Sequence, residues 1–355
     1  MIMKQTQTRL AQKAAPLGTT LFFSKTLDFL EIFIPKQKDG SRNTVETYRT
    51  SLSMFRDYVR DEKNFSIRDF QFADCTYDLV LDYRNWLHST RNFKESTTNN
   101  RLAAIKSYVA YAAARDITLQ QIAFSVSEVP MLKVPKVIRP VIEQEDTLSA
   151  FLNAPSNTRL GLRDRAILVM LFDTAIRVDE LVKLCYADVN LSVPAPYIHV
   201  HGKGNKERKV YFSSRAFMII EQCAHEFHPG KNPQTAFFYT TIHGIAGHMS
   251  RRNVERIVKK YADAIRPEHP DLPESVSPHT IRRTRATGLF QDGVDLAAIS
   301  TMLGHSLIQT TKDHYAIPSV EQMRAVMERG CNSEPTEDPL WSEDEDELAK
   351  LCGLR

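Results

Sequence analysis

The chain has 355 residues, of which 42% are hydrophobic and 25% charged, the proportions of a globular protein with room for two domains and a tail. No apolar run approaches the roughly 18 residues that a membrane-spanning helix needs, which excludes an integral membrane protein. The five cysteines are widely spaced and include no CxxC pair, so a disulfide framework or a zinc ribbon is not expected. Together with the polar start of the chain, this favours the reducing cytoplasm.

The net charge of +3 is unevenly distributed. Residues 1–140 contain 21 Lys and Arg against 14 Asp and Glu, residues 141–330 contain 23 against 21, and residues 331–355 contain 2 against 8. The basic first part favours a polyanionic partner. The last segment, with SEDEDE and few large apolar residues, is predicted to be an acidic tail without a core of its own.

The first third of the chain shows helical periodicity. Apolar residues recur every three or four positions in 21–34 and 41–60, and further helices are predicted near 78–88 and in 96–115. Residues 129–140 contain three prolines and no helical period, which is typical of an extended linker because proline fixes φ and removes a backbone donor. The predicted organisation is a polar N-terminal arm (1–20), a helical domain (21–133), a linker (134–141), a second domain (142–330) and the acidic tail (331–355).

The second domain is predicted to be rich in helices, with one small β-hairpin. Helices are predicted at 143–152 and 162–184. Short alternating runs at 197–200 and 209–212 flank GKGNKE and indicate a hairpin with a glycine-rich turn. The helical pattern is then predicted to continue to about residue 329.

Four segments of this domain present polar side chains in local patterns suited to chemistry. They are TAIRVDELVKL with Arg177, GKGNKER with Lys203, SPHTIRRTR with His279 and Arg282, and LGHSLIQTTKDHY with His305 and Tyr315. His279 and Arg282 share a helix face after Pro278, which starts the helix. Taken singly, each segment has an ordinary structural explanation: Arg177 can pair with a nearby acid, turn lysines are commonly solvated, and a lone tyrosine is usually structural.

Taken together, the order R…K…HxxR…H…Y resembles the tyrosine recombinase family, the phage-integrase-like enzymes. The resemblance covers about residues 20–325, because TVETYRTSLSMFRDYV and STTNNRLAAIKSYVAYA are similar to the core-binding helices of that family. It implies a mainly α fold, with a helical, SAM-like core-binding domain and an α-rich catalytic domain that carries a small antiparallel sheet, forming a C-shaped DNA clamp. The TTKDHYAIP stretch and the acidic tail are more similar to the transposon-encoded branch than to chromosome-dimer resolvases.

The resemblance implies site-specific DNA recombination, as integration, excision or transposition, through a 3′-phosphotyrosyl intermediate and a Holliday junction. Arginine suits a phosphate clamp because it stays charged and donates two hydrogen bonds, whereas tyrosine, with a reference pKa near 10, needs positive surroundings to ionise. The implied roles are Tyr315 as nucleophile, Arg177 and Arg282 as the clamp, His279 as proton acceptor, His305 as donor to a phosphate oxygen, and Lys203 as proton donor to the leaving 5′-hydroxyl.

No cofactor and no metal are expected, because the phosphotyrosyl link conserves the energy of the broken bond. The sequence contains no P-loop and no HExxH, and HEFH at 225–228 lacks the zincin spacing. One feature departs from the family pattern: nine residues separate His305 from Tyr315, where most members have eight. In an unbroken helix one extra residue turns a side chain by about 100°, so a bulge or a turn before Tyr315 would be needed to restore its aim.

The implied partner is double-stranded DNA with paired recombination sites, and the implied assembly is a homotetramer on DNA. The segment 319–329 places Val320, Met323 and Met327 on one face and is expected to dock on a neighbouring subunit; packing within its own domain is the alternative. DNA is expected to be held mainly through phosphates, with a nucleoid-associated, cytoplasmic location. The candidate DNA contacts are Arg42, Arg49, Arg101, Lys106, Arg251 and Arg252.

Two other functions use the same residues. A type IB topoisomerase shares the chemistry but nicks and closes a single duplex, and the LGH segment with the two-domain organisation favours recombination over it. A DNA-binding regulator with weakened catalysis is the second alternative, and the altered spacing before Tyr315 is its main support.

Overall fold

The computed structural model describes residues 20–38, 41–135, 139–202, 207–242, 244–305, 307–315, 323–324 and 327. The polar arm up to residue 19, Lys203, most of 319–329 and the acidic tail therefore lie outside the described residues. The chain divides into two compact units, Met1–Ile138 and Arg139–Arg355. Across the described ranges, no helix has both the length and the apolar character to cross a bilayer.

The first unit is helical, as predicted. Helix α2 begins at Arg42 because the Ser41 side chain accepts a hydrogen bond from the amide of Thr44 and so caps the helix. The pattern in the sequence did not single out the last helix, which follows a short 3₁₀ turn at Ile117–Leu119. The elements are α1 (consecutive stretches Phe22–Lys25, Thr26–Asp28 and Phe29–Gln37), α2 (Arg42–Asp61), α3 (Tyr77–Asn85), α4 (Glu95–Ala113) and α5 (Gln120–Ser127).

Aromatic rings fill the core of this unit. The Phe22 ring lies 5.4 Å from that of Phe55 and 5.2 Å from that of Tyr108, measured between centroids, and all three side chains are buried. The Tyr108 hydroxyl donates to the carbonyl of Phe22. These contacts fasten α1 to α2 and α4, so the faces of α2 and α4 that lie opposite the core stay available to a partner.

The second unit is an α-rich domain with two small antiparallel sheets. Strands β1, β2 and β3 form a three-stranded sheet in that order, and β4 pairs with β5. The elements are α6 (Glu145–Asn153), α7 (Arg159–Thr174), α8 (Val178–Leu181), β1 (Val189–Asn190), β2 (Tyr197–His201), β3 (Glu207–Tyr211), α9 (Ser214–Phe227), β4 (Tyr239–Ile242), β5 (Ile245–His248), α10 (Arg251–Ile265), α11 (Pro278–Gln291), α12 (Leu296–Leu303) and α13 (Ile308–Tyr315).

Helix α7 forms the centre of the second unit. The side chains of residues 166–171 are all buried, and the helix packs against α9 and α11. A continuous apolar run buries every side of a helix, so neighbouring elements surround this part of α7. Helix α11 is thus packed on the buried half of α7.

Two predictions for this unit are wrong. The single helix predicted at 162–184 ends at Thr174 and helix resumes only at Val178, because Ala175 adopts the left-handed conformation, with φ of 48°, and breaks the hydrogen-bond ladder. The helical pattern predicted beyond the first hairpin is interrupted by the β4–β5 hairpin. Its turn contains Gly244 at a φ of 81°, a conformation that glycine adopts without strain.

The predicted linker has no helix or strand in its described part. The residues just before it are held by the helical unit: the Asn99 side chain accepts from the amide of Leu132 at 2.8 Å and donates to the carbonyl of the same residue at 2.8 Å. Arg84 donates to the carbonyl of Pro130 at 2.9 Å. Residues up to Leu132 are therefore anchored to the first unit.

Candidate active site

The first arginine of the site caps a helix and is held by a buried acid. Arg177 is the N-cap of α8, and its backbone amide donates to Glu180 Oε2 at 2.8 Å while its Nη1 lies 3.1 Å from Glu180 Oε1. The Glu180 side chain is only 8% exposed, whereas that of Arg177 is 37% exposed. The guanidinium is therefore fixed on one side and open on the other.

Glu180 also holds a second arginine, which comes from the sheet. Arg208 of β3 donates to both carboxylate oxygens of Glu180, at 3.1 and 2.9 Å, and its Nε donates to the carbonyl of Met302 at 2.9 Å. Burial alone would raise the pKa of Glu180, but the hydrogen bonds and charges of Arg208 and Arg177 bring this pKa below its usual value. The ionised Glu180 thus connects α8 to β3, and Arg208 connects β3 to the end of α12.

Arg282 is buried, and the hydrogen-bond partners found for it carry no formal charge. It lies on α11, is 2% exposed, and donates to the carbonyls of Ala175 and Leu303, the latter at 2.8 Å. Among the described residues it forms no ion pair with a carboxylate. Its pKa is lowered by burial first and then by the charge of Arg177, against which a hydrogen bond with Tyr315 acts. A buried cation without a carboxylate partner favours the binding of an anion.

His305 bridges Arg282 and helix α13. Its Nε2 lies 3.1 Å from Arg282 Nη2, and its Nδ1 lies 2.9 Å from Thr311 Oγ1. A guanidinium can only donate, so Nε2 accepts, and Nδ1 carries the proton that is donated to Thr311. This arrangement fixes the neutral imidazole in one tautomer.

Tyr315 completes the cluster at the end of α13. It is 7% exposed and packs among the apolar side chains of Ala175, Ala286, Ile299 and Leu303. Its ring stacks on that of His305, with centroids 5.8 Å apart and planes 17° apart, and the phenol is a hydrogen-bond partner of Arg282. Apolar packing on the ring and an arginine at the hydroxyl orient the side chain toward the cationic cluster.

The extra residue between His305 and Tyr315 does not require a bulge. Helix α13 is continuous from Ile308 to Tyr315, and His305 lies before the helix, after Gly304 has ended α12 in the left-handed conformation. The rotation expected for an unbroken helix does not arise, because the two residues do not lie on one helix. Of the two expected devices, a bulge or a turn before Tyr315, the structure has the break in the helix after Gly304 and no bulge within α13.

His279 lies beside the two arginines, near the N-terminus of α11. Its ring is accessible, yet its pKa is lowered, first by partial desolvation and then by the positive charges of Arg282, Arg251, Arg283 and Arg177. The neutral imidazole is thereby favoured around pH 7, which is the form that can accept a proton.

Of the six predicted catalytic residues, Arg177, Arg282, His305 and Tyr315 share contacts around Ala175, Leu303 and Gly304, and His279 joins them through the field of the arginines. Lys203 lies outside the described residues, although β2 and β3 lead into its segment. Sequence reasoning did not single out Glu180, Arg208 or Gly304. The acid three residues after Arg177 was visible only as a possible partner, and Arg208 stood at the end of the GKGNKER run.

The predicted DNA contacts differ in their surroundings. Arg42, Arg49, Arg251 and Arg252 are exposed, and Arg251 pairs with Asp179 at 3.5 Å and Glu255 at 2.9 Å. Arg101 donates to Ser51 Oγ at 2.9 Å at the edge of a cleft of about 380 Å³ between α2 and α4. The Lys106 ammonium donates to the carbonyls of Ser127 and Val129, so it stabilises the end of α5.

Comparison with known families identifies the chain. Residues 142–321 match the phage integrase family, and residues 25–126 match the phage integrase SAM-like domain. The chain belongs to the phage integrase family and is a tyrosine-type site-specific recombinase, as the ordered motifs predicted.

Individual relatives agree with this assignment. The chain is 31% identical over 298 residues to tyrosine recombinase XerC of Natranaerobius thermophilus, covering 81% of this chain and 92% of that protein. It is 30% identical over 292 residues to tyrosine recombinase XerD of Staphylococcus epidermidis, covering 79% and 90%. These relatives support site-specific recombination over the topoisomerase and regulator alternatives.

Solved structures share the fold. The Tn1549 transposon integrase in complex with transposon right end DNA matches with a TM-score of 0.63 at 18% identity, covering 86% of this chain and 99% of that one. The XerH site-specific recombinase bound to palindromic difH substrate matches with a TM-score of 0.60 at 18% identity, covering 85% and 83%. The mainly α fold with a small antiparallel sheet, expected from the sequence, is thus confirmed.

Proposed function

We propose that the chain recombines double-stranded DNA at paired sites, with Tyr315 as the nucleophile. The observation that carries this proposal is the environment of Arg282, a buried cation held by carbonyls, an imidazole and a phenol. A phosphate oxygen is the natural anionic partner for such a group. Tyr315 lies against the same arginine, so a bound phosphate would meet the phenol directly.

Cleavage in this scheme is a single in-line displacement at phosphorus. The Tyr315 oxygen forms a bond to phosphorus, its proton passes to neutral His279, and the bond to the 5′-oxygen breaks. Lys203 is proposed to supply the proton that this oxygen takes up. Attack by the 5′-hydroxyl of a partner strand reverses the steps, so the chemistry balances without an external energy source.

Arg177 and Arg282 are proposed to bind the non-bridging oxygens, where negative charge grows in the transition state. His305 is proposed to join them as a donor. Its Nε2 accepts from Arg282 at 3.1 Å, so donation to a phosphate requires that nitrogen to gain a proton while Arg282 turns toward the phosphate.

The DNA surface proposed for the first unit lies along α2 and α4. The cleft between these helices is lined by polar side chains and by Arg101, and Arg42 and Arg49 are exposed on α2. Lys106 is not carried into this surface, because its ammonium is occupied by two carbonyls. Arg251 and Arg252 are the proposed contacts of the second unit, and the boundaries at residues 133 and 142 are kept as the proposed domain limits.

The finer biological role is also a proposal. A homotetramer through residues 319–329 is supported by Met323 and Met327, which expose 53% and 70% of their surface. A role in transposition is supported by the fold shared with the Tn1549 transposon integrase and by the TTKDHYAIP stretch. With this role, the protein would act on chromosomal or plasmid DNA in the cytoplasm.

The proposal is tested by Arg282→Ala. A plasmid carrying the DNA that flanks the gene is incubated with full-length protein, and covalent protein–DNA adducts are recovered after detergent denaturation. Loss of one preorganised donor to the developing charge should lower the rate of adduct formation about 100- to 1,000-fold. The matched control, Arg159→Ala, removes an exposed arginine paired with Glu226 and should keep the wild-type rate.

Equal adduct formation by Arg282→Ala and wild type would contradict the proposed phosphate site. The same plasmid separates the topoisomerase alternative from recombination. A recombinase yields products whose junctions lie at defined sequences, whereas relaxation of supercoils in a plasmid that lacks the flanking DNA would favour the nicking-closing function.

A further inference from the structure

A cluster of two histidines and a glutamate lies on the sheet, apart from the phosphate site. His199 Nε2 is 3.1 Å from Glu207 Oε2, and His201 Nδ1 is 3.1 Å from Glu207 Oε1. One ligand atom from each residue lies within 4.8 Å of those of the other two. The side chains are 35%, 56% and 48% exposed for His199, His201 and Glu207, so an ion can reach them from solvent.

Strand geometry brings these side chains together. His199 and His201 are two residues apart on β2, so they project from the same face of the sheet, while Val200 between them is buried on the other face. Glu207 is the direct cross-strand partner of His201 on β3. The backbone of a regular antiparallel pair therefore fixes all three positions, and no loop residue is needed to complete the set.

A further carboxylate orients one of the histidines. His201 Nε2 lies 3.1 Å from Asp188 Oδ1, while Asp188 Oδ2 accepts from the amide of Cys185 at 2.8 Å. The Asp188 side chain is 17% exposed. Metal-binding histidines characteristically donate their second ring N–H to a carboxylate, which sets the tautomer and raises the basicity of the ligating nitrogen. Asp188 is placed to do this and leaves Nδ1 of His201 facing Glu207.

We propose that His199, His201 and Glu207 bind one divalent transition-metal ion of the Zn²⁺ class, with Asp188 as the positioning residue of His201. Nitrogen and carboxylate ligands in this combination suit Zn²⁺, and three protein ligands leave a fourth position for water. Ligand atoms about 2.0–2.2 Å from a tetrahedral ion lie roughly 3.3–3.6 Å apart. The two 3.1 Å contacts of Glu207 need to open by a few tenths of an ångström. The two imidazole nitrogens, which lie within 4.8 Å of each other, need to reach the same separation.

The surrounding charges favour the cation. Glu207 and Asp188 both face the pair of imidazoles. Lys209, which pairs with His199 across the strands, holds its ammonium over the Tyr197 ring, 4.6 Å from the centroid. Arg208, which lies between Glu207 and Lys209 on β3, points to the other face of the sheet and binds Glu180.

The test is Zn²⁺ titration of the full-length, tag-free protein by calorimetry, with Co²⁺ absorption as a spectroscopic signature of tetrahedral coordination. Wild type should bind one Zn²⁺ per chain at this site, and Zn²⁺ should raise its Tm because the ion binds only the folded sheet. His201→Asn and Glu207→Gln should each abolish the site, the tetrahedral Co²⁺ bands and the rise in Tm. Asp188→Asn keeps all three ligands and should weaken Zn²⁺ binding about 10- to 100-fold.

The matched control is His225→Asn, which removes an exposed histidine of α9 outside the cluster and should bind Zn²⁺ as wild type does. Circular dichroism in the absence of metal checks that each variant is folded. Absence of a saturable site in wild type, or binding that is unchanged in both His201→Asn and Glu207→Gln, would overturn the proposal. Loss of DNA affinity in these variants with unchanged Zn²⁺ binding would also overturn it, and would assign the histidines to DNA.

Discussion

At the scale of single residues, the site is organised by cations whose charge is only partly neutralised. Glu180 binds Arg208 through both carboxylate oxygens and Arg177 on one side, while Arg282 is held by groups that carry no formal charge. Burial lowers the pKa of both Arg282 and His279, and the neighbouring positive charges lower each pKa further. A phosphate that binds here would relieve this repulsion, so the same cations favour the binding of an anion.

The field at His279 predicts a shift in the pH dependence of cleavage. His279 must be neutral to accept the tyrosine proton, and its lowered pKa keeps it neutral to a lower pH than an isolated imidazole. Arg251→Gln removes one of the charges that lower this pKa. The pKa should therefore rise, and the acidic limb of the single-turnover rate should move to higher pH.

Arg252→Gln is the control for this prediction, because Arg252 is the next residue on α10 but is not among the charges that act on His279. Both variants remove a proposed DNA contact, so their overall rates can fall alike. The midpoint of the acidic limb separates them: a midpoint that stays in place, or moves to lower pH, in Arg251→Gln would exclude His279 as the proton acceptor in this field.

At the scale of elements, the sequence predicted the helices and the hairpin whose formation depends on neighbouring residues. The helices of the first unit and the β2–β3 hairpin follow from apolar periodicity and a glycine-rich turn. The break before Arg177 could not be predicted in this way, because the left-handed Ala175 is held by Arg282, which donates to its carbonyl from 107 positions away in the sequence. Likewise, the role of Glu180 depends on Arg208, 28 positions away.

The corner between α12 and α13 also depends on a distant residue. Gly304 has a φ of 65°, and a Cβ at this position would lie 2.9 Å from Nη1 of Arg208. The corner sets the position of His305, whose amide donates to the carbonyl of Ser300 at 3.1 Å. The LGH segment therefore needs glycine for two separate reasons, its backbone conformation and the approach of Arg208.

Three glycine substitutions separate these two reasons. Gly304→Ala adds both left-handed strain and a clash, Gly293→Ala adds only the strain, with φ of 82° and open space, and Gly230→Ala adds neither. The strain should lower the free energy of unfolding by about 1–2 kcal/mol in Gly293→Ala. Gly304→Ala should lower the free energy of unfolding further. It should also form adducts more slowly, because Arg208 and the His305 turn must move apart.

Denaturant unfolding and the adduct assay together check this order. Gly230→Ala should remain within about 0.5 kcal/mol of wild type. Equal stability and equal adduct rates in Gly304→Ala and Gly293→Ala would show that the contact with Arg208 does not shape the site.

At the scale of the whole molecule, the net charge differs from one segment of the chain to the next. The modest net charge of +3 combines a basic helical unit, a nearly balanced catalytic unit and an acidic end. The family assignment identifies the first folded part as the SAM-like domain and the second as the phage integrase domain of a tyrosine recombinase. The proposed assembly would use the exposed methionines after Tyr315, Met323 and Met327.

Assembly is predicted to depend on Met323 and Met327. A Met323→Asp/Met327→Asp double variant places two charges on the surface proposed to dock on a neighbouring subunit. It should reduce synapsis of two DNA sites more than binding to one site, as measured by gel mobility and by mass measurement of the complexes. Met218→Asp is the control, because it charges another exposed methionine, 62% exposed, on α9. An equal loss of single-site binding and synapsis would favour packing of the segment within its own domain.

The most direct measurement is the identity of the residue that carries DNA after cleavage. Adducts formed by wild-type protein on the flanking DNA are digested with protease and nuclease, and mass spectrometry locates the nucleotide. We expect a 3′-phosphate ester on Tyr315, and no adduct with Tyr315→Phe, which keeps the ring packed against His305 but lacks the hydroxyl. An adduct on another residue, or one that persists in Tyr315→Phe, would contradict Tyr315 as the nucleophile.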